Sequence, residues 1–126
     1  MNRPSLAMDK VNLAEKFAAF SEHWSPKIVG AVDDYEIKLV KVEGEFVWHK
    51  HDTEDELFLV IEGALTIALR DREVVLGPSE FFVVPKGTEH KLSAATECKM
   101  LLLERSGVLN TGDAAESALT SAAERI

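Results

Sequence analysis

Three of the chain's four histidines, His49, His51 and His90, fall within residues 44–90, beside the acidic segment Asp52-Thr53-Glu54-Asp55-Glu56. Neutral imidazole nitrogens with a carboxylate oxygen form a donor set that suits zinc, iron, nickel, copper or manganese. Residues 44–51 read as the end of an alternating strand, whose period of two sends His49 and His51 to one face. A second strand opens at Glu56 after the short acidic turn, so its first carboxylate can face both imidazoles. Pro85-Lys86-Gly87 is a tight turn that leads to His90. The candidate metal ligands are therefore His49, His51, Glu56 and His90, and the expected occupant is a divalent transition metal (Zn, Fe, Ni, Mn or Cu). The blander alternative, that His49 and His51 are ordinary surface residues of a strand, leaves the placement of His90 and Glu56 as coincidence.

Composition limits what such a site can serve. A chain of 126 residues with 46% hydrophobic content makes one domain, able to bury roughly two-thirds of its unfolded surface. The 22 acidic and 14 basic side chains give a formal net charge of -8, which repels a phosphate backbone and argues against nucleic acid as a partner. A lone cysteine, Cys98, excludes an internal disulfide, and Met1 to Ala7 offers no apolar core for a signal peptide, so a cytoplasmic address is expected. The longest apolar runs, at residues 57–61 and 81–85, fall far short of the ~20 residues of a membrane helix, and no membrane partner is expected.

The elements that must position these groups are mostly strands. Residues 1–10 carry no periodicity and are expected to be loose. Asn12 and Glu15 make a capping-box-like start to a helix with Leu13, Phe17 and Phe20 on one side, stopped at Ser25-Pro26. So short a helix needs a sheet face to lie on. From Lys27 the pattern turns to β, with expected strands at 27–32, 35–42, 45–50, 56–62, 64–70, 73–76, 80–84, 90–93 and 98–104. Polar and Gly/Pro clusters such as Asp33-Asp34, Glu62-Gly63 and Gly77-Pro78 separate them. Short strands so punctuated predict a sandwich or barrel. In the tail, Asp113 and Glu116 could cap an Ala-rich C-terminal helix. His23 reads as a structural or surface residue, Cys98 as core, and Lys38 and Lys41 as solvent-facing, with an inward orientation into the barrel as the alternative.

These residues resemble the motifs of a single-domain cupin of the mannose-6-phosphate-isomerase-like kind, over about residues 28–105. The first cupin motif runs Gly, a five-residue gap, His-x-His, three or four residues, Glu, six residues, Gly. Here His49-Lys50-His51, Glu56 and Gly63 fit it, and Gly44 stands one residue too near. The second motif finds Pro85-Lys86-Gly87 and His90, with Ser79 in place of its opening Gly and Ala94 in place of its closing Asn. Spacing to Gly63 selects Glu56 over Glu54 and Asp55. The resemblance implies an all-β, double-stranded β-helix (jelly-roll) barrel with an open metal in its mouth, between a helical extension at 1–27 and a tail at 106–126. It does not imply a reaction, since cupins span isomerases, dioxygenases and plain binding proteins.

Two classes of function follow. One is a small metal-dependent enzyme acting on a small molecule, sugar-phosphate-isomerase-like or dioxygenase-like, with Phe46, Val47, Phe58, Val60, Phe82 and Val84 as candidate pocket wall. The other is a non-catalytic module that binds a small molecule or a metal. Apolar residues on both faces of the strands, with Phe46, Trp48, Leu57, Leu59 and Ile61 turned away from the histidines, predict a homodimer built on sheet surface. The alternative cover is the barrel's second sheet together with the helix and tail.

Overall fold

Apolar alternation governs the chain from Lys27 onward, and the strands follow it closely. The structure, a computed structural model, describes residues 9–126. Its elements are α1 (Leu13–Ala18), β1 (Lys27–Val32), β2 (Tyr35–Glu45), β3 (Glu56–Glu62), β4 (Leu65–Leu69), β5 (Glu73–Leu76), β6 (Phe81–Val84), β7 (His90–Arg105) and β8 (Glu124–Arg125). The expectation of a loose segment at residues 1–10 falls outside the described residues as far as residue 8. Asp9 and Lys10 are exposed and without regular structure.

β7 closes the barrel. Its start pairs antiparallel with β4, from Leu69↔His90 to Thr66↔Ser93, and its end pairs with β3, from Val60↔Met100 to Leu57↔Leu103. β2 runs along nearly all of it, from Tyr35↔Arg105 to Glu45↔Ser93. β5 extends the first arm through β4, β6 extends the second through β3, and β1 and β8 lie beyond β2. The sheet thereby folds over on itself as the expected jelly-roll, and the inward side chains of its two arms meet as one core. Strand β3 shows the logic: Glu56, Phe58 and Val60 are buried inside, while Leu57, Leu59 and Ile61 are half-buried outside. Phe58, Val60, Leu65, Ile67, Val42 and Met100 fill the interior.

A second, smaller core lies outside the barrel. The Asn12 side chain accepts a hydrogen bond from the Glu15 N–H at 3.0 Å and caps α1. Phe17 and Phe20 then pack on Val29 and Leu39, flanked by Leu13, Ile37, Ile61, Leu101 and Ile126. The helix has its expected sheet face.

Several details differ from the sequence reading. The helix stops at Ala18, well before Ser25-Pro26, because tertiary bonds take the following backbone: Lys41 donates to the Phe20 carbonyl and the Trp24 N–H donates to the Lys41 carbonyl. Lys41 is therefore buried, not solvent-facing, and so is Lys38, whose side chain turns into the barrel to Glu104. Residues 45–50 do not form a strand. A bulge between Val42 and Gly44 breaks the parity of β2, and the chain leaves the ladder at Glu45. Phe46 consequently turns inward to stack on Trp24, with ring centroids 4.5 Å apart. Trp48 is covered by the Arg70 guanidinium, 3.8 Å above its ring. Residues 90–104, read as two strands, form one. The tail holds no helix: residues 106–126 are turns and irregular chain that end in β8, which adds parallel to β1. Ser79, where the motif has glycine, adopts a left-handed φ of 70°.

Candidate metal centre

The His-x-His pair lies on irregular chain between β2 and β3, held in place by backbone bonds to the second motif. The His49 N–H donates to the His90 carbonyl at 3.0 Å and the His90 N–H returns to the His49 carbonyl at 2.9 Å. The Gly87 N–H donates to the His51 carbonyl at 2.8 Å, and the Lys86 N–H donates to Asp55 at 2.9 Å. The Pro85-Lys86-Gly87 turn is thus fastened to the acidic turn and to His51. Glu56 opens β3, opposite Val84 of β6. Local motif spacing becomes a spatial cluster through these cross-links.

All four candidate residues come together. One ligand-type atom from each of His49, His51, Glu56 and His90 lies within 4.8 Å of the others, and all four side chains are buried. His49 Nδ1–H donates to the Val47 carbonyl and His90 Nδ1–H to the Thr88 carbonyl, both at 2.9 Å. Each bond fixes the tautomer and leaves the Nε2 lone pair free to point inward. His51 Nε2 and His90 Nε2 face Glu56 Oε1 at 3.3 and 3.5 Å, yet none of the three makes a well-aligned hydrogen bond. Buried polar atoms without partners are costly. Their convergence on one point, in a donor set of three imidazoles and a carboxylate, fits a divalent transition metal.

The electrostatics separate the histidines. Burial, reinforced by the charge of His90, lowers the His49 pKa to about 4. Burial also disfavours charged His51, but Glu56, with Glu54 and Asp113, outweighs it and holds that pKa above the usual histidine value. Burial alone would raise Glu56; the facing His51 and His90 more than reverse this and keep its carboxyl below the usual range.

Sequence reasoning missed the groups behind Glu56. Glu104, on the inner face of β7, is buried against the Glu56 carboxyl, and Lys38 of β2 donates to its Oε1 at 2.9 Å. Burial, then the charge of Glu56, pushes Glu104 up to about 9 despite Lys38. The signal was the unusual run of charged residues on the inward parity of β2 and the end of β7, visible only once the register is known. His23 lies at the surface against Glu97, 2.7 Å away. Cys98 is fully buried, with its thiol pushed up to about 11 by burial, in keeping with a core residue.

Beside the cluster is a narrow cavity of about 20 Å³, room for about one water-sized molecule, lined by His49, Glu56, Trp24, Phe46, Phe58 and Asn110 among others. Its wall is otherwise aliphatic, from Pro26, Val40, Leu92, Met100 and Leu102. Of the expected wall, Phe46 and Phe58 line this cavity, Val60 and Val84 are buried in the barrel core, and Val47 and Phe82 pack against that core.

Comparison with known proteins decides the family. The profile of the cupin domain matches residues 37–104, more than half of the chain. The protein is a cupin. It is similar to a cupin-2 domain containing protein from Shewanella frigidimarina NCIMB 400, with 50% identity and a TM-score of 0.75 over 75% of this chain and 93% of that one. Protein NMB1881 from Neisseria meningitidis is 29% identical, with a TM-score of 0.71 over 78% of this cupin and 100% of its own chain. The uncharacterized protein YdbB of Bacillus subtilis (strain 168) shares 36% identity over 91 residues, 71% of this cupin and 74% of YdbB. Among the described residues no helix is long and apolar enough to cross a membrane.

Proposed function

We propose that this cupin is a small metal-dependent enzyme in which His49, His51, Glu56 and His90 hold one divalent transition metal beside a small apolar cavity. The observation that carries the reading is the convergence of buried, unpartnered Nε2 and carboxylate atoms at the cavity wall. When bound, the ion would supply Lewis acidity or, for iron or copper, redox chemistry. The chain's own residues do the rest. The Val47 and Thr88 carbonyls orient His49 and His90, and Lys38 anchors Glu104 behind Glu56. Trp24, Phe46 and Phe58 give the cavity its aromatic wall.

The lining narrows the substrate. No lysine or arginine is among the cavity residues, so beyond the metal itself no cation there would balance a phosphate dianion. A small, largely uncharged molecule fits better, which favours the dioxygenase-like reading over the sugar-phosphate isomerase. Metal analysis of the purified protein, followed by oxygen-uptake and sugar-phosphate isomerisation assays, tests this. Iron or copper with oxygen uptake supports the proposal, isomerisation of a sugar phosphate reverses the choice of reaction, and bound metal without turnover assigns a binding module. We place the protein in the cytoplasm, as a homodimer.

A further inference from the structure

Residues 106–126 lie beyond the part of the chain matched by the cupin profile, yet Gly112 stands directly against His49 and His51 of the candidate metal centre. Residues 106–109, Gly112 and Asp113 line a second opening of about 350 Å³ at the barrel mouth, opposite Lys50, His51, Asp52 and Glu54. Two bonds fasten this segment to Lys50, the residue between the two histidines. The Lys50 N–H donates to Asp113 Oδ1 at 2.8 Å, and the Asp113 N–H donates to the Lys50 carbonyl at 3.1 Å. The Asp113 carboxylate expected to cap a tail helix is spent on the His-x-His segment instead.

Gly112 makes the close approach. A Cβ at this position would stand 2.5 Å from the Lys50 carbonyl oxygen, 3.0 Å from His49 Cδ2 and 3.2 Å from His51 Cε1, and its φ is +55°. Any side chain would press on both imidazoles and on the backbone that joins them. The segment is itself anchored on either side. Asn110 donates to the Trp24 and Leu119 carbonyls at 2.9 and 2.8 Å and accepts from the Ser121 N–H at 2.7 Å. Thr111 is 1% exposed, and Leu119 packs on the barrel core. The Ile126 N–H donates to the Ile28 carbonyl at 3.1 Å.

We infer that residues 110–113 form a strap that positions His49 and His51, with Asp113 fixing the Lys50 backbone and Gly112 setting the separation. The inference rests on the reading that these histidines hold a metal. Neither residue offers a ligand atom to the cluster; both act through the imidazoles and the peptide between them. A rigid third side to the His-x-His loop matters because a single bridge to His90 and one bond from Gly87, not a continuous ladder, otherwise hold it.

Cobalt(II) is the probe, titrated into metal-free full-length protein and followed by its visible absorption, with metal-free thermal unfolding measured in parallel. Asp113→Ala should weaken cobalt binding about 10-fold and change the cobalt spectrum, at an unchanged metal-free melting temperature. Asp113→Asn keeps an oxygen that accepts the Lys50 N–H and should restore both readouts. Gly112→Ala should weaken binding at least as much as Asp113→Ala. Binding by Asp113→Ala equal to wild type overturns the strap, as does equal weakening in Asp113→Asn, or weakening only alongside a lowered melting temperature. Wild-type protein that takes up no cobalt overturns the metal reading and the strap with it; cobalt-competent wild type with indifferent variants overturns the strap alone.

Discussion

His49 and His51 are two residues apart and titrate in opposite directions. His49 is depressed to about 4, whereas His51 is held above the ordinary histidine value by Glu56, Glu54 and Asp113. Metal must displace a proton from any ligand that carries one. On acidification His51 is protonated first, so metal affinity should begin to fall above ~6.5, the ordinary histidine value. Metal content that stays constant from neutral to about pH 5 would contradict this. His51→Ala should lose most of the bound metal by elemental analysis while keeping its β-sheet circular dichroism; unchanged stoichiometry would rule out the site. Stability of the metal-free protein carries the opposite signature of His49. The unfolded chain binds a proton near ~6.5 but folded His49 does not until about 4, so the native state loses up to ~3 kcal/mol as pH falls through that window. Metal-free His49→Gln should show a flatter decline than wild type between those pH values in urea unfolding, and equal slopes would assign the loss elsewhere. The four clustered residues were legible because motif spacing along the chain encodes them. Glu104, Lys38 and Gly112 were not, since their relation to the site exists only through register and tail path.

Alternation made most strands readable, and the failures sit where alternation is interrupted. The bulge between Val42 and Gly44 flips parity and sends Phe46 inward, to the cavity wall and not to the outer sheet surface that strand parity gave it. Exposed Ala95, Thr96 and Glu97 looked like a gap between strands, but β7 continues through them because β2 pairs on both sides. The tail was illegible for a different reason: its partners, Lys50, Trp24 and β1, are remote in sequence. Helix α1 shows how little local propensity decides. Six residues are too few to be helical alone, since isolated helices shorter than about 12 residues are marginal even in favourable sequences. Its stability comes from Phe17, 3% exposed on Val29 and Leu39, with Phe20 beside it. Phe17→Ala should cost about 3–5 kcal/mol in urea unfolding. Metal uptake should remain stoichiometric at low urea, because this core lies on the face of the sheet opposite Glu56 and His90. Loss of metal in a variant that is still folded would mean that the two faces are coupled.

At the scale of the molecule, the barrel's outer surface is only partly covered by its own chain. α1 and the C-terminal residue shield Val29, Leu39, Ile61 and Leu101. Across the same sheet, register aligns Phe81 with Leu59 and Leu101, and Val83 with Leu57 and Leu103. Phe81 is 63% exposed and Val83 41%, and no charged side chain interrupts these rows. Contiguous apolar surface of this kind marks an interaction site more often than a free face. It is apolar along these rows and without a charge pattern that would select a different partner. A second copy across a two-fold axis can lay the same rows on each other, which is why we propose the homodimer. Trp48, which sequence parity had placed in this interface, is already covered by Arg70 and drops out of it. The variant that tests the interface is therefore Phe81→Glu, which adds a charge to the most exposed position without touching the barrel interior. Light scattering should give twice 13.9 kDa for the wild type at micromolar concentration and 13.9 kDa for Phe81→Glu, with metal content unchanged. A monomeric wild type, or a variant that remains dimeric, would show that this face is not where two copies meet.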